Sequence, residues 1–295
     1  MARLNEVLPT TGPSFEIVLV VDGSTDDTWP VAADLARRHE SVRAIRLARN
    51  YGQHAAIVAG ARAARYDVIV TMDDDLQHPP EEVPKLLAAL NDDLDLVYGI
   101  PEEEEHGVMR SLASRTVKVG MVAALGVHNA RMLSAFRAFR SYLRAGFDQV
   151  SGPHVSIDVV LGWGTTRVGA VKVRMDQRAE GRSGYTFRGL LRHTTNMVLG
   201  YSTAPLRLVT YFGFLVGLAG FALFLRLLWL YYHGETTVAG FTTIASLIAI
   251  FSSAQMIAIG VLGEYMGRVH STGMGRPTYI IRESVEAAAD QPVTR

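Results

Sequence analysis

A chain of 295 residues, 48% of them apolar, can bury a large core, and its length allows one or two domains. It contains no cysteine, so disulfides and thiolate metal centres are excluded. The net charge of zero conceals an asymmetry: residues 1–105 carry 9 Lys and Arg against 20 Asp and Glu, residues 106–207 carry 15 against 4, and the remainder 5 against 5. A basic block leading into apolar segments points to anionic lipid headgroups or a phosphorylated substrate. Nucleic acid, the other usual partner of such a block, is disfavoured because no base-stacking aromatics are interleaved with these cations.

Met1–Gly12 lacks the apolar core and the small-residue cleavage site of a secretory signal. Phe15–Val21 is a continuous apolar run and predicts a buried strand. It ends in Asp22-Gly23-Ser24-Thr25-Asp26-Asp27, where Gly permits a sharp turn and Asp26 or Thr25 can cap a helix starting near Trp29-Pro30. A short strand, Ala44–Leu47, leads through Arg49-Asn50-Tyr51-Gly52 to an Ala-rich helix from about His54 to Ala64. Val68–Val70 opens a third strand, which delivers Asp73, Asp74 and Asp75 to its end, followed by Gln77 and Pro79-Pro80. Carboxylates this close repel one another unless a cation sits among them, and hard oxygens of this kind suit Mg²⁺ or Mn²⁺ bound together with substrate phosphates. Taken alone, the triplet reads equally well as a solvated acidic turn.

Val83, Leu86, Leu87 and Leu90 fall at helical spacing, and Leu94–Tyr98 forms a further strand. Strand and helix alternate, which predicts an α/β domain with a mostly parallel sheet covered on both faces. Ligands of such sheets bind at the carboxyl ends of the strands, where Asp22 and Asp73–Asp75 lie. Glu102–Gly107 reads as a solvated loop, Val108–Phe147 as basic and helical, and Val168–Arg174 as a strand. Arg178–Tyr185 is a cationic loop able to fold around an anion, and Phe187–Ser202 fits a helix in a membrane interface. Two apolar segments, about 208–232 and 239–263, are each long enough to cross a hydrocarbon layer of about 30 Å. Arg226 lies near the end of the first and can snorkel outward. The loop between them lacks Lys and Arg, whereas Arg207, Arg268, Arg276 and Arg282 flank the outer ends, so the positive-inside rule places both ends of the chain in the cytoplasm.

Six motifs in order carry a family likeness: Asp22-Gly23-Ser24-Thr25-Asp26, Arg49-Asn50-Tyr51-Gly52, Met72–Glu81, Arg178–Ser183, Ser202–Arg207 and Leu262–Arg268. From about Phe15 to Ile281 the chain resembles the polyprenyl-phosphate glycosyltransferases of glycosyltransferase family 2. The resemblance implies a GT-A, Rossmann-like domain at a cell membrane, which transfers a sugar with inversion from a nucleotide-diphosphate sugar to a polyprenyl phosphate. It implies that Asp73 and Asp75 form the Asp-x-Asp pair, with Asp75 and Gln77 on a Mg²⁺ or Mn²⁺ ion. Asp22, Asn50, Asp73 and Asp74 would contact the nucleotide sugar, and Arg178, Arg182 and Ser183 the lipid phosphate. The acceptor phosphate, with a second pKa of about 6, is already a nucleophilic anion at neutral pH, so no strong base is required. Asp158 is the reserve candidate for one.

The expected layout is a cytoplasmic catalytic domain over 1–186, an interfacial helix over 187–204, a two-helix transmembrane hairpin over 205–267 and a cytoplasmic tail over 268–295. A homo-oligomer is a further partner the sequence leaves open. Relatives begin with a central strand that has no counterpart in Met1–Pro9, so the sheet is expected to lack its first strand. Either the start lies upstream, or the chain is a truncated, inactive scaffold for other glycan enzymes. Val21 and Gly184 also depart from the family pattern, which bears on donor-base contacts and on the grip on the lipid phosphate.

Overall fold

The structure is a computed structural model describing residues 1–12, 14–75, 77–102, 132–148, 156–176, 203–233 and 240–286. These fall into two compact units, divided near Thr195 and again near Gly275.

Among the described residues the first unit holds seven strands, β1 (Ile17–Val21), β2 (Val42–Leu47), β3 (Val68–Thr71), β4 (Leu96–Pro101), β5 (Arg137–Arg140), β6 (Val168–Val173) and β7 (Ile281–Val285). Its helices are α1 (Ala2–Val7), α2 (Thr28–Arg38), α3 (Gln53–Ala63), α4 (Val83–Ala89), α5 (Ala145–Asp148) and α6 (Ile157–Gly164). The strands form two sheets, in the orders β1-β2-β7 and β3-β5-β4-β6. β1 pairs with β2 in parallel, as does β4 with β6. β5 runs antiparallel to both β3 and β4, and β7 antiparallel to β2. The sheets are therefore mixed, which corrects the expectation of a mostly parallel sheet.

Two local departures produce this difference. Arg137–Arg140 lies in a stretch whose pattern predicts helix, yet it is extended, with Ala138 and Phe139 fully buried between neighbouring strands. Burial on a pleated surface has outweighed a weak local preference. The second departure is β7, where a chain that left the domain returns to pair with β2 across more than two hundred residues of sequence.

Two helices connect the sheets. α3 contributes Ala59 to a cluster with Ile45 and Leu47 of the first sheet, and Val58 and Ala61 to a cluster with Ile69 and Phe139 of the second. A Cβ at its Gly60 would lie 3.2 Å from the Val20 side chain, so the small residue lets α3 sit close on β1. The α1 segment acts similarly: Met1 packs against the cluster of Trp29 and Ala33, and Leu8 against that of Val83 and Leu86. The largest fully buried side chains, Tyr98, Phe136, Phe139 and Phe147, sit in and beside the second sheet, with Phe139 and Phe147 edge to face at 6.5 Å.

β7 is fastened by side chains as well as by backbone. Glu283 accepts from Trp29 Nε1 at 3.0 Å and pairs with Arg46 at 3.2 Å, and Glu286 pairs with Arg43 at 2.9 Å. Thr278 is buried just before it, and Tyr279 packs against both core clusters that α3 joins.

The second unit contains α7 (Ala204–Tyr232) and α8 (Phe241–Gly273), 29 and 33 residues long. At about 1.5 Å per residue they extend roughly 44 and 50 Å. α7 matches the apolar run that begins near Leu208, whereas α8 continues about ten residues beyond Gly263, through Glu264 and Arg268. Among the described residues one stretch, Pro205–Leu223, is long and apolar enough to cross a membrane, with a mean hydropathy of 1.8 and none of it buried. A Cβ at Gly220 would approach the Phe251 ring to 2.7 Å, which marks a close contact of the two helices.

Candidate active site

The acids singled out in the sequence gather at the strand ends. β1 is a run of five aliphatic residues that stops at Asp22, and Gly23 turns the chain with φ +62°. The Asp22 carboxylate accepts the backbone N–H groups of Tyr51 and Gly52, each at 2.7 Å. A charged acceptor shared by two amides is a strong tie, and it draws the loop after β2 onto the loop after β1. Asn50, exposed, lies in that same loop, and Arg49 stacks over the Tyr51 ring at 4.3 Å. Asp26 accepts from the Thr28 N–H at 2.9 Å and from Ser24 Oγ at 2.7 Å, which satisfies a donor in the first turn of α2; the Thr28 side chain and then Ser24 lower its pKa to about 2.

The next residue after this loop, Gln53, opens α3 and reaches the third strand end: its Nε2 donates to Asp73 Oδ1 at 2.6 Å. Asp73 and Asp75 are half-buried, and Asp74 is exposed. Asp75 Oδ1 accepts the Gln77 N–H at 3.1 Å and so curls the chain back on itself. His78 is buried, stacked on Phe136 at 5.1 Å, and Nδ1 faces the Asp73 N–H at 3.4 Å. Burial lowers its pKa, and a ring nitrogen facing an N–H is the acceptor of a neutral imidazole. The Gln77 carbonyl accepts the Asp176 N–H at 3.0 Å, which places Asp176, two residues before the predicted cationic loop, beside the acidic loop. Arg3 clamps the outside, with a two-bond fork on Glu81 at 2.6 and 2.8 Å and a contact to Asp176 at 3.5 Å. A continuous chain of contacts therefore runs from Asp22 through Gln53, Asp73 and Gln77 to Asp176.

Asp158, on α6, is part of a buried cluster next to this chain. Its Oδ1 accepts from Arg137 Nη1 and from the Tyr98 hydroxyl, the latter at 3.1 Å, and Arg137 lies over the Tyr98 ring at 5.7 Å. Burial, and then the adjacent carboxylate, push the Tyr98 pKa far above its usual value, so it stays a donor. Gln53, His78 and Arg137 are the members of the site to which sequence reasoning assigned no role. His78 lies inside the Met72–Glu81 motif, Gln53 directly follows Arg49-Asn50-Tyr51-Gly52 and Arg137 lies in no motif, and a side chain that serves a neighbouring carboxylate leaves no spacing signal. Arg178, Arg182 and Ser183 lie outside the described residues.

Aspartate and amide oxygens are hard donors and fit a small divalent cation. Among the described residues no three His, Asp or Glu side chains converge as a ready-made ligand set.

Comparison with known proteins is consistent with this geometry. The model of the family described as glycosyl transferase family 2 matches residues 2–144. An undecaprenyl-phosphate 4-deoxy-4-formamido-L-arabinose transferase of Pectobacterium atrosepticum is 32% identical over 280 residues, 94% of this chain and 86% of its own length. The protein of the same name in Pseudomonas aeruginosa is 35% identical over 279 residues, 94% and 82% of the two chains, and that in Shewanella sediminis is 32% identical over 286 residues, 96% and 86%. Relatives named as transferases give the inactive-scaffold alternative no support. Likeness sustained over nearly the whole chain, on an α/β domain with its acids at the strand ends, makes this protein a glycosyltransferase of family 2.

Proposed function

We propose that this glycosyltransferase moves a sugar from a nucleotide-diphosphate sugar to a polyprenyl phosphate at the cytoplasmic face of a cell membrane. The observation that carries the reading is the junction of three loops at Asp22, Gln53 and Asp73, with the start of the basic segment tied to the same place through Asp176. That junction ties the acidic donor site to the chain that leads into a sequence segment whose cations suit an anionic acceptor. Names of relatives that act on undecaprenyl phosphate agree with it.

In this reading Asp22, Asn50, Asp73 and Asp74 contact the nucleotide sugar, and Asp75 and Gln77 hold Mg²⁺ or Mn²⁺. A bound cation would stabilise the charge that develops on the departing diphosphate. Arg178, Arg182 and Ser183 hold the acceptor phosphate and offset repulsion between two anionic substrates. Asp158 is assigned away from base catalysis, because its charge is committed to Arg137 and the ionised acceptor has little need of a base.

The membrane reading keeps two spans, near 208–232 and 239–263, with the catalytic domain on the basic, cytoplasmic side. The return of β7 to β2 supports an even number of crossings, since an odd number would leave β7 across the bilayer from its partner. We also read the two sheets as parts of one, short of a strand that would lie between β1 and β3. Both edges belong to helix-linked sheets, and an unpaired edge is a place for another strand.

Membranes containing the protein, incubated with labelled nucleotide sugars and polyprenyl phosphate, are expected to form labelled lipid in a metal-dependent way, and Asp75→Ala to reduce the rate at least 100-fold, on the order of 3 kcal/mol of transition-state stabilisation. Labelling that is indifferent to chelator and to Asp75→Ala would overturn the assignment.

A further inference from the structure

The chain that returns as β7 first passes the loop that leads from β2 into the donor site. Residues 48–52 belong to neither β2 nor α3 and form no helix or strand of their own, so the shape in which Tyr51 and Gly52 meet Asp22 is imposed by what surrounds them. Asp22 supplies two of these outside contacts. A third comes from the returning chain, where the Ile280 carbonyl accepts the Ala48 N–H at 2.8 Å, one residue past the end of β2. We propose that Tyr279, next in sequence to that bond, is a positioning residue of the donor site, which fixes the 48–52 loop by wedging the two elements that flank it. The inference rests on the donor reading above and assigns to that site a residue from the far end of the chain.

Tyr279 is half-buried and packs against a cluster built from Ile45 and Leu47 of β2 and Ala59 of α3, and Tyr51 of the loop packs against the same cluster. It also packs against the cluster that holds Val58 and Ala61 of α3, and Arg62 of α3 lies over its ring at 5.6 Å. Arg62 is itself fixed, since its Nη2 donates to the Phe147 carbonyl at 2.5 Å. One ring thus bears on both β2 and α3, the elements whose separation the loop has to span. The backbone agrees with the side chain: the pairing of β7 with β2 shifts register between Arg46 and Leu47, so Leu47 faces Ile281 and the rung to Ala48 comes from Ile280, beside Tyr279 in the chain.

The donor site depends on this separation twice. Tyr51 and Gly52 donate to Asp22 at 2.7 Å each, and Gln53, the first residue of α3, donates to Asp73 at 2.6 Å. Moving α3 against β2 by about 1 Å is enough to stretch these bonds past good hydrogen-bonding distance. Misplacement of about 1 Å, caused by a residue remote from the chemistry, can cost on the order of 100-fold in rate. A ring that merely filled the core would lower stability without singling out these bonds.

Hydrogen exchange and nucleotide binding on the full chain in detergent test the assignment together. In wild type the amides of Ala48, Tyr51 and Gly52 are expected to open with one dependence on denaturant, as a single unit. Tyr279→Ala is expected to speed exchange at Tyr51 and Gly52 at least tenfold and, with Mn²⁺ present, to weaken whichever of UDP and GDP binds at least fivefold. Tyr279→Phe, which keeps the ring, is expected to stay within twofold of wild type on both measures. Glu283→Ala, which loosens β7 beyond the ring, is expected to leave the Tyr51 and Gly52 amides within twofold. Tyr51 and Gly52 amides that open in wild type while Ala48 stays protected overturn the proposal, and this comparison needs no variant. So does a Tyr279→Ala chain that melts cooperatively and matches Glu283→Ala at the loop, and so does faster loop exchange with unchanged nucleotide affinity. Failure of wild type to bind either UDP or GDP strikes the donor reading instead, while faster loop exchange in Tyr279→Ala would still uphold the hold of Tyr279 on the loop.

Discussion

Gly23→Ala tests the junction on which the donor site is built. At φ +62° an L side chain costs about 1–2 kcal/mol from its own backbone. The added Cβ would also lie 2.1 Å from the Arg49 carbonyl carbon and 2.3 Å from the Asn50 nitrogen, and both are backbone atoms that no rotamer change can move. Relief requires the 49–52 loop to retreat by about 1 Å, which stretches the two 2.7 Å bonds from Tyr51 and Gly52 to Asp22. Hydrogen bonds to a charged group contribute about 1.5–3 kcal/mol each. Losing one of them and adding the backbone term gives a destabilisation of about 3–5 kcal/mol. At about 2–4 °C per kcal/mol for a domain of this size, the first unfolding transition should fall by roughly 6–20 °C. Thermal melting in detergent reads this directly, with Gly12→Ala, whose Cβ would meet nothing within 4 Å, as the matched control. The KM for the nucleotide sugar should rise in the Gly23 variant alone. Equal melting of the two variants would refute the account of how the loops after β1 and β2 are held together.

Three further outcomes can be checked on the same protein. Phe139→Ala removes a fully buried ring that meets Phe147 edge to face, and should cost about 3–5 kcal/mol in chemical denaturation. Asp95 is buried at the start of β4, where the Arg167 fork (Nε to Oδ2 at 2.9 Å) and then Thr165 hold its pKa well below the usual carboxylate range. Because the folded value is the lower one, its contribution is complete above the unfolded pKa of about 4 and is lost as pH falls through the folded value. Asp95→Ala should therefore destabilise by about 1–3 kcal/mol at pH 7, with the difference from wild type shrinking in strong acid. Glu283→Ala removes the acceptor of Trp29 and the partner of Arg46, and should cost about 1–2 kcal/mol and raise hydrogen exchange in β7 selectively.

Much of the site was legible because it obeys short-range rules. An aliphatic run stopped by Asp-Gly, and another stopped by three aspartates, mark strand ends without reference to any partner. The Asp22 turn, the Asp26 contact at the start of α2 and the α3 helix follow from that local chemistry. What the sequence concealed depends on distant partners. β5 is four residues long, too short to show a period of two inside a basic stretch, and its extended form comes from β3 and β4 on either side. β7, Ile-Arg-Glu-Ser-Val, carries two charges and reads as tail. Its Glu283 makes sense only beside Trp29 and Arg46, more than two hundred residues earlier.

The charge asymmetry of the chain acquires a purpose at the Asp176–Gln77 contact. Spread over a surface, an acidic first third and a basic middle would simply attract one another and collapse into ion pairs of little worth. The fold prevents this by spending selected charges inside the domain, Arg137 on Asp158 and Arg167 on Asp95, and by fixing the junction of the two regions through a backbone hydrogen bond that carries no net charge. The Asp73–Asp75 loop is thereby joined at Gln77 to Asp176, the last described residue before the cationic segment. The reaction proposed above must hold two anions together: in that reading the acids would recruit a cation for one phosphate group, and Arg178 and Arg182 would receive the other. A site that had satisfied its own charges would have nothing left with which to offset the repulsion between its substrates.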